Sequence, residues 1–384
     1  MQEPTSSKQI REERRAPVET IDEVAPGVLR LQLPISMPGL GHVNCYAMQD
    51  KRGVTLVDPG LPGPTTWRHL KRRLADADMP VERVHTVVIT HSHPDHFGQA
   101  ERLRDRYGAE IITHESFRTF LDPGAEADDH DVYTVLEAPA EQPIGGGEAT
   151  HEDAPVELPA TVGQTSGSPF ARSTPWGGKP FQLPLARRVQ YWAMRRAAGL
   201  FLSSPTPTRR VEEAEVIELG GREWVSVHTP GHTQDHLCLW DPANGVMISG
   251  DHILPTITPH ISGMGVTADP LADFMRSLDR MQTFDGITTV LPAHGLEFGD
   301  LHGRAIDIKA HHQERLSTLR EAGDRLGRAS VHDYMQVLFQ RRSWGSMAES
   351  ETYAHLEHLR IQREAAVSNE GAELHYEILD SPGT

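Results

Sequence analysis

Three histidines and one aspartate fall within the six residues 91–96, HSHPDH, at the end of the β-branched run HTVVIT. Imidazole and carboxylate donors suit zinc, iron or manganese, and no cysteine stands beside them here. One short stretch cannot wrap a single ion with all four groups. In extended chain, alternate residues share a face, so His91 and His93 can grip one metal together. Pro94 then fixes the chain direction and starts a turn, which redirects Asp95 and His96 towards a second position. The spacing therefore predicts two ions rather than one.

Two ions need more donors, and the sequence offers them in similar settings. His232 ends VSVHTPGH, Asp251 ends VMISGD, and His294 ends TTVLPAH. Each follows an apolar run and lies beside a glycine, which lets backbone approach a crowded site. Two cations about 3.5–4 Å apart share a water and lower its pKa from near 16 to around 7, so the expected nucleophile is a metal-bridging hydroxide. Asp95 is placed to accept a hydrogen bond from it and aim it. The sequence holds neither a G-x-S-x-G serine motif nor a Gly-rich phosphate loop, so the metals must carry the reaction. The expected reaction is hydrolysis.

The elements that must position these residues are short. GVLRLQL, NCYAM, VTLVD, HTVVIT and EIITH read as strands, and TTWRHLKRRLADA and QAERLRDRY as helices between them. EVIELGG, EWVSVHT, HLCLWD, GVMISGD and TTVLPAHG read as a second set of strands, with the helix PLADFMRSLDRMQ among them. Strands alternating with helices predict an α/β layered core. Beyond Gly303 three helices and a final hairpin follow, a winged-helix-like order. The expected organisation is a flexible arm at 1–20, a catalytic domain at 21–302 and a C-terminal module at 303–384. A long insertion, about 122–210, is rich in Pro, Gly, Ala and acidic residues and ends in a helix-like stretch that could serve as a lid.

The chain has 384 residues and a formal charge of −17, which disfavours nucleic acid as a partner because phosphate neutralisation needs a basic face. No secretory leader and no apolar run of membrane-spanning length is visible, so a cytoplasmic location is expected. Cys45 and Cys238 sit in apolar strands and read as buried free thiols. Of the 22 histidines, His252 adjoins Asp251 and is the best candidate to support a ligand, with His260 a weaker candidate for substrate contact. HHQERL at 311–316 reads either as functional or as an ordinary helix-surface pair of His312 and Arg315.

Taken in order, HSHPDH, TPGHT, SGD and PAHG give the chain its resemblance to the metallo-β-lactamase-fold hydrolases, over about residues 25–300. The resemblance implies an αββα sandwich with the metals between the edges of two sheets. By position it assigns His91, His93 and His232 to one metal, Asp95, His96 and His294 to the other, and Asp251 to the bridge. It puts zinc first, with iron or manganese admitted by the same donors. Asp251 stands where some true β-lactamases use cysteine, which argues against antibiotic hydrolysis by that route. The expected substrate is a small ester, thioester or similar electrophile; a phosphodiesterase or ribonuclease of the lactamase-like type is the alternative. A third reading makes the C-terminal module a docking surface within a homo- or hetero-oligomeric hydrolase.

Overall fold

The computed structural model describes residues 11–37, 39–119, 121–122, 174–177, 203–265 and 267–379. The strand Leu40–Gln49 shows what sets the layers. Its Tyr46 and Met48 pack into one apolar cluster and its Cys45 and Ala47 into another, and all four are buried. Side chains alternate across a strand, so a strand that is apolar on both faces needs cover on both.

The first sheet carries β1 (Asp22–Ala25), β2 (Val28–Met37), β3 (Leu40–Gln49), β4 (Val54–Val57), β5 (Val84–Val88), β6 (Glu110–His114) and β7 (Arg209–Val211), adjacent in chain order. Pairing is antiparallel from β1 to β4 and parallel from β4 to β7. Two helices, α1 (Pro64–Asp76) and α3 (Ala100–Tyr107), cover its outer face, with the single turn α2 (Pro94–Phe97) between them. Proline at the first position starts α1, and Trp67, Leu70 and Leu74 recur at helical spacing to bury one stripe. They meet Leu31, Val43, Leu56 and Val87 of the sheet.

The second sheet runs in the order β12 (Thr289–Pro292), β11 (Val246–Gly250), β10 (Leu237–Asp241), β9 (Arg222–His228) and β8 (Val216–Leu219). Between the two sheets lie Val57, Val88 and Ile112 from one side and Trp224, Leu239, Ile248 and Leu291 from the other. The outer face of the second sheet is covered by α4 (Pro270–Met281), whose first turn is capped by Asp269 accepting from Ala272 N–H at 2.9 Å. The result is the expected αββα sandwich.

The C-terminal region holds α5 (Leu301–Leu326), β13 (Ala329–Ser330), α6 (Val331–Leu338), α7 (Ser346–Ile361), β14 (Ala365–Glu370) and β15 (Glu373–Ile378). A reciprocal Ser330–Asp333 capping box starts α6, and a small antiparallel sheet forms in the order β13–β15–β14. Apart from a small cluster of Met335, Phe339 and Ala348, its apolar residues do not form a separate core. Tyr334, Leu356, Leu359 and Tyr376 belong to the same cluster as Val227, Met247, Val290 and Phe274. The expected boundary at 302/303 thus falls within the first turn of α5, where apolar packing is continuous.

One expectation about exposed chain needs correction, and another lies largely outside the described residues. Residues 11–20 are not a free arm, although 1–10 lie outside the described residues. Glu13 is fully buried and accepts the backbone N–H groups of Thr256 and Ile257 at 2.8 and 3.1 Å. A carboxylate that satisfies otherwise orphaned backbone donors holds its own segment down. Most of the 122–210 insertion, including its helix-like end, lies outside the described residues. Within it, Trp176 is buried, its ring tilted against Tyr353, and its carbonyl accepts Leu374 N–H at 2.8 Å. Among the described residues, no helix is long and apolar enough to cross a membrane.

Candidate metal centre

The strand ends bring the seven expected donors together. β4 and β5 are parallel, so Asp58 and Thr90 emerge from the same edge, the carboxyl ends where α/β sheets place their ligands. Thr90 N–H and Oγ–H donate to the two oxygens of Asp58 at 2.9 and 2.7 Å, which fixes the start of the HSHPDH turn. His93 is extended and Pro94 opens α2, as the proline predicted. Gly98 lets this turn lie on the loop after β4, since a Cβ there would stand 2.1 Å from Pro62 N.

From the second sheet, His232 sits in the β9–β10 loop, Asp251 follows β11 and His294 follows β12. The first sheet reaches across to hold the last of these. Asn44 donates to the carbonyls of Pro292 and Gly295 at 2.8 and 2.9 Å, and Tyr46 donates to Pro292 O at 2.7 Å. Gly231 has φ +136°, and a Cβ on it would lie 2.4 Å from the Phe274 backbone. Substituting it with alanine should cost about 2 kcal/mol through strain and overpacking. A denaturant midpoint unchanged from wild type would contradict this, and the displaced His232 should weaken metal retention as well.

The donor atoms form two groups that share a wall. His91 Nε2 and His232 Nε2 lie 2.9 and 3.2 Å from His93 Nδ1. His96 Nε2 and His294 Nε2 each lie 3.5 Å from Asp95 Oδ2. Asp251 stands between the groups, its Oδ1 3.3 Å from His294 Nε2 and its Oδ2 3.7 Å from both His96 and His232 Nε2. Ligand atoms of His91, His93, His232 and Asp251 lie within 4.8 Å of one another, as do those of Asp95, His96 and His294.

The far nitrogens of these rings decide which atoms face the centre. His294 Nδ1–H donates to His42 O and His232 Nδ1–H to His260 O, both at 2.7 Å. His96 Nδ1–H donates to Asp58 at 2.8 Å, and His91 Nδ1 lies 3.0 Å from the Thr90 hydroxyl, whose proton already points to Asp58. Each ring therefore turns an Nε2 lone pair inwards. His96 Nε2, His294 Nε2 and Asp251 Oδ1 are buried with no hydrogen-bond partner. Converging lone pairs and carboxylates without protons between them fit a cation.

Electrostatics point the same way. Burial, helped by the neighbouring imidazoles, holds His91 and His93 well below the ordinary histidine range. Burial also opposes charge on His96, yet Asp95, Asp58 and Asp251 outweigh it and raise that imidazole to about 10. Asp251 is held well below the carboxylate range by His294 and His96 despite its burial. The Asp-rich half of the site demands positive charge.

Several supporting groups were not found from the sequence, and some expected ones stand elsewhere. His252 packs edge-on against Phe274 and, among the described residues, makes no hydrogen bond to a donor of the site. Its neighbour in space, His236, does: its Nε2 accepts Asp251 N–H at 3.0 Å. The His260 ring is tied through Nδ1 to Glu351 at 3.1 Å. His312 and Arg315 are buried, not a surface pair. Asp58 was missed because its only sequence signal, VDPG, reads as a turn.

An αββα sandwich with paired His/Asp groups between its sheet edges defines a metallo-hydrolase. The chain belongs to the metallo-beta-lactamase superfamily, whose Lactamase_B family profile matches residues 38–294. It is similar to the probable metallo-hydrolase YqjP of Bacillus subtilis (strain 168), 25% identical over 274 residues, 70% of this chain and 71% of that protein. The crystal structure of a metallo-beta-lactamase family protein from Thermus thermophilus covers 92% of this chain and 99% of its own at 25% identity, with a TM-score of 0.67. A shorter match joins the chain to the atrochrysone carboxyl ACP thioesterase dmxR1 of Cryptosporiopsis sp. (strain 8999), 29% identical over 109 residues. That match spans 28% of this chain and only 31% of the thioesterase.

Proposed function

We propose that this protein is a binuclear, zinc-first hydrolase that cleaves a small ester or thioester. The observation that carries the reading is Asp251, one carboxylate whose two oxygens reach donors of both groups, at 3.3 Å to His294 and 3.7 Å to His232. In this reading His91, His93 and His232 hold one ion, Asp95, His96 and His294 the other, and Asp251 bridges them. Two such cations would supply Lewis acidity and a shared water of pKa around 7.

The protein's own groups would do the rest. Asp95 Oδ2 lies between His96 and His294, where it can accept a proton from the attacking water and fix its direction. His96 and His294 are locked by Asp58 and the His42 carbonyl, so the site is organised before substrate arrives. The partial match to an ACP thioesterase supports a carbonyl electrophile, and the net charge of −17 weighs against a polyanion. Two unbridged, buried cysteines fit a cytoplasmic site of action.

The test compares zinc-reconstituted protein on an acyl thioester and on a bis-aryl phosphodiester, with H91A and a chelated sample as controls. We expect thioester cleavage that falls to the buffer rate in both controls. Metal-dependent cleavage of the phosphodiester alone would overturn the substrate class, and activity surviving in H91A would overturn the metal assignment.

A further inference from the structure

We propose that Glu351, on the C-terminal helix α7, is a positioning residue for His232, acting through the backbone of His260. The inference rests on the ligand assignment above. His232 Nδ1–H donates to His260 O at 2.7 Å, so that carbonyl sets the angle at which His232 Nε2 faces the site. The carbonyl belongs to the loop after β11, 28 residues further along the chain. What fixes this loop is α7.

Three contacts make the clamp. His260 Nδ1 donates to Glu351 Oε2 at 3.1 Å. Gly263 N–H donates to Ser350 Oγ at 3.1 Å, and the hydroxyls of Ser262 and Ser350 are 3.2 Å apart. A Cβ on Gly263 would lie 2.5 Å from the Tyr353 ring and 2.8 Å from Ser350 O, so the loop is pressed onto the helix. Glu351 is itself anchored: its other oxygen accepts from Arg315 of α5, which lies across the Phe339 ring at 4.6 Å. Against burial, Arg315 and His260 hold the Glu351 carboxyl well below its usual range, so it is a charged acceptor.

The same cluster invites a second explanation, a third ion between His312, Glu351 and His355. Its hydrogen bonds argue against that. Both Glu351 oxygens already accept protons, one from His260 Nδ1 and the other from Arg315. A cation there would also face the Arg315 guanidinium. The cluster is a buttress.

The deciding experiment measures zinc affinity on the full chain by competition with a chromophoric chelator, for wild type, E351Q and H260A. A glutamine at 351 cannot accept from both Arg315 and His260, whereas H260A keeps the Arg315–Glu351 pair and cuts only the tether. In folded variants we expect one of two bound zincs to weaken about 10–100-fold while the other is unchanged. Two zincs of unchanged affinity in folded H260A would overturn the inference alone. A wild-type protein holding fewer than two zincs would overturn the ligand assignment, and this inference with it. A third tight zinc that E351Q loses would replace the buttress with an ion site. Should E351Q fail to fold, H260A decides.

Discussion

Replacing Asp251 by alanine will leave a protein that folds, binds at most one zinc and has lost its metal-dependent hydrolysis. Its two carboxylate oxygens face donors on both sides, at 3.3 Å from His294 and 3.7 Å from His96 and His232, so no neighbour can take over the role. The side chain is also the negative charge about which buried His91, His96, His232 and His294 converge. On the proposed assignment, each ion would then keep only part of its donor set, and the two would lose their common wall. A bound metal contributes several kcal/mol to the transition state. At 1.36 kcal/mol per decade, losing one should slow turnover by about a thousandfold or more. Elemental analysis beside the kinetics separates the outcomes. Two retained zincs with near-normal rates would mean that Asp251 does not bridge.

The second large effect is expected at Asp58, a residue that faces no substrate. D58N preserves shape and tolerates the backbone, because φ is +54° there and asparagine adopts that region readily. What it cannot preserve is acceptance. The carboxylate receives Thr90 N–H at 2.9 Å, Thr90 Oγ–H at 2.7 Å and His96 Nδ1–H at 2.8 Å, all in buried surroundings. An amide must turn its NH2 towards one of these donors, which leaves two donors facing each other in a dry site. Breaking one partner out of a buried charged network costs about 3–5 kcal/mol, and we expect a loss of that size in denaturant unfolding of the zinc-free protein. His96 then loses its orientation, so zinc affinity at the Asp95–His96–His294 position should fall about 10–100-fold. An unfolding midpoint and a zinc affinity both equal to wild type would show that Asp58 only decorates the turn.

These two residues mark how far the sequence could be read. Asp251 announced itself by standing after an apolar run and beside a glycine, as did His232 and His294. The double-sided burial of the strands was visible in runs such as HTVVIT, and alternation carried the layer assignment. Asp58 carried no such mark, because its role exists only once β4 and β5 pair in parallel and bring residues 58 and 90 together. The His42 and His260 carbonyls were beyond reach for a simpler reason: a backbone acceptor has no residue type. Residues 11–20 misled because charge looks like solvation. Glu13 is buried by what it accepts, and the donors of Thr256 and Ile257 are more than 240 positions away. Arg315 misled in the same way, because its partner Glu351 stands 36 residues away on a different helix.

The single apolar cluster that joins the second sheet to the C-terminal helices has a consequence during synthesis. The helix-facing layer of the first sheet is almost wholly encoded by residue 117, so it can begin to pack early. The outer face of the second sheet cannot, because Val227, Met247 and Phe274 share their cluster with Leu356, Leu359 and Tyr376. At roughly 5–20 residues per second, translation from 117 to 376 occupies on the order of ten to fifty seconds. Through that interval the ribosome carries a chain with one packed layer and one sticky sheet face still waiting for its last helices. The chain's yield should therefore depend on how fast the codons for the helix and strand residues 346–378 are read.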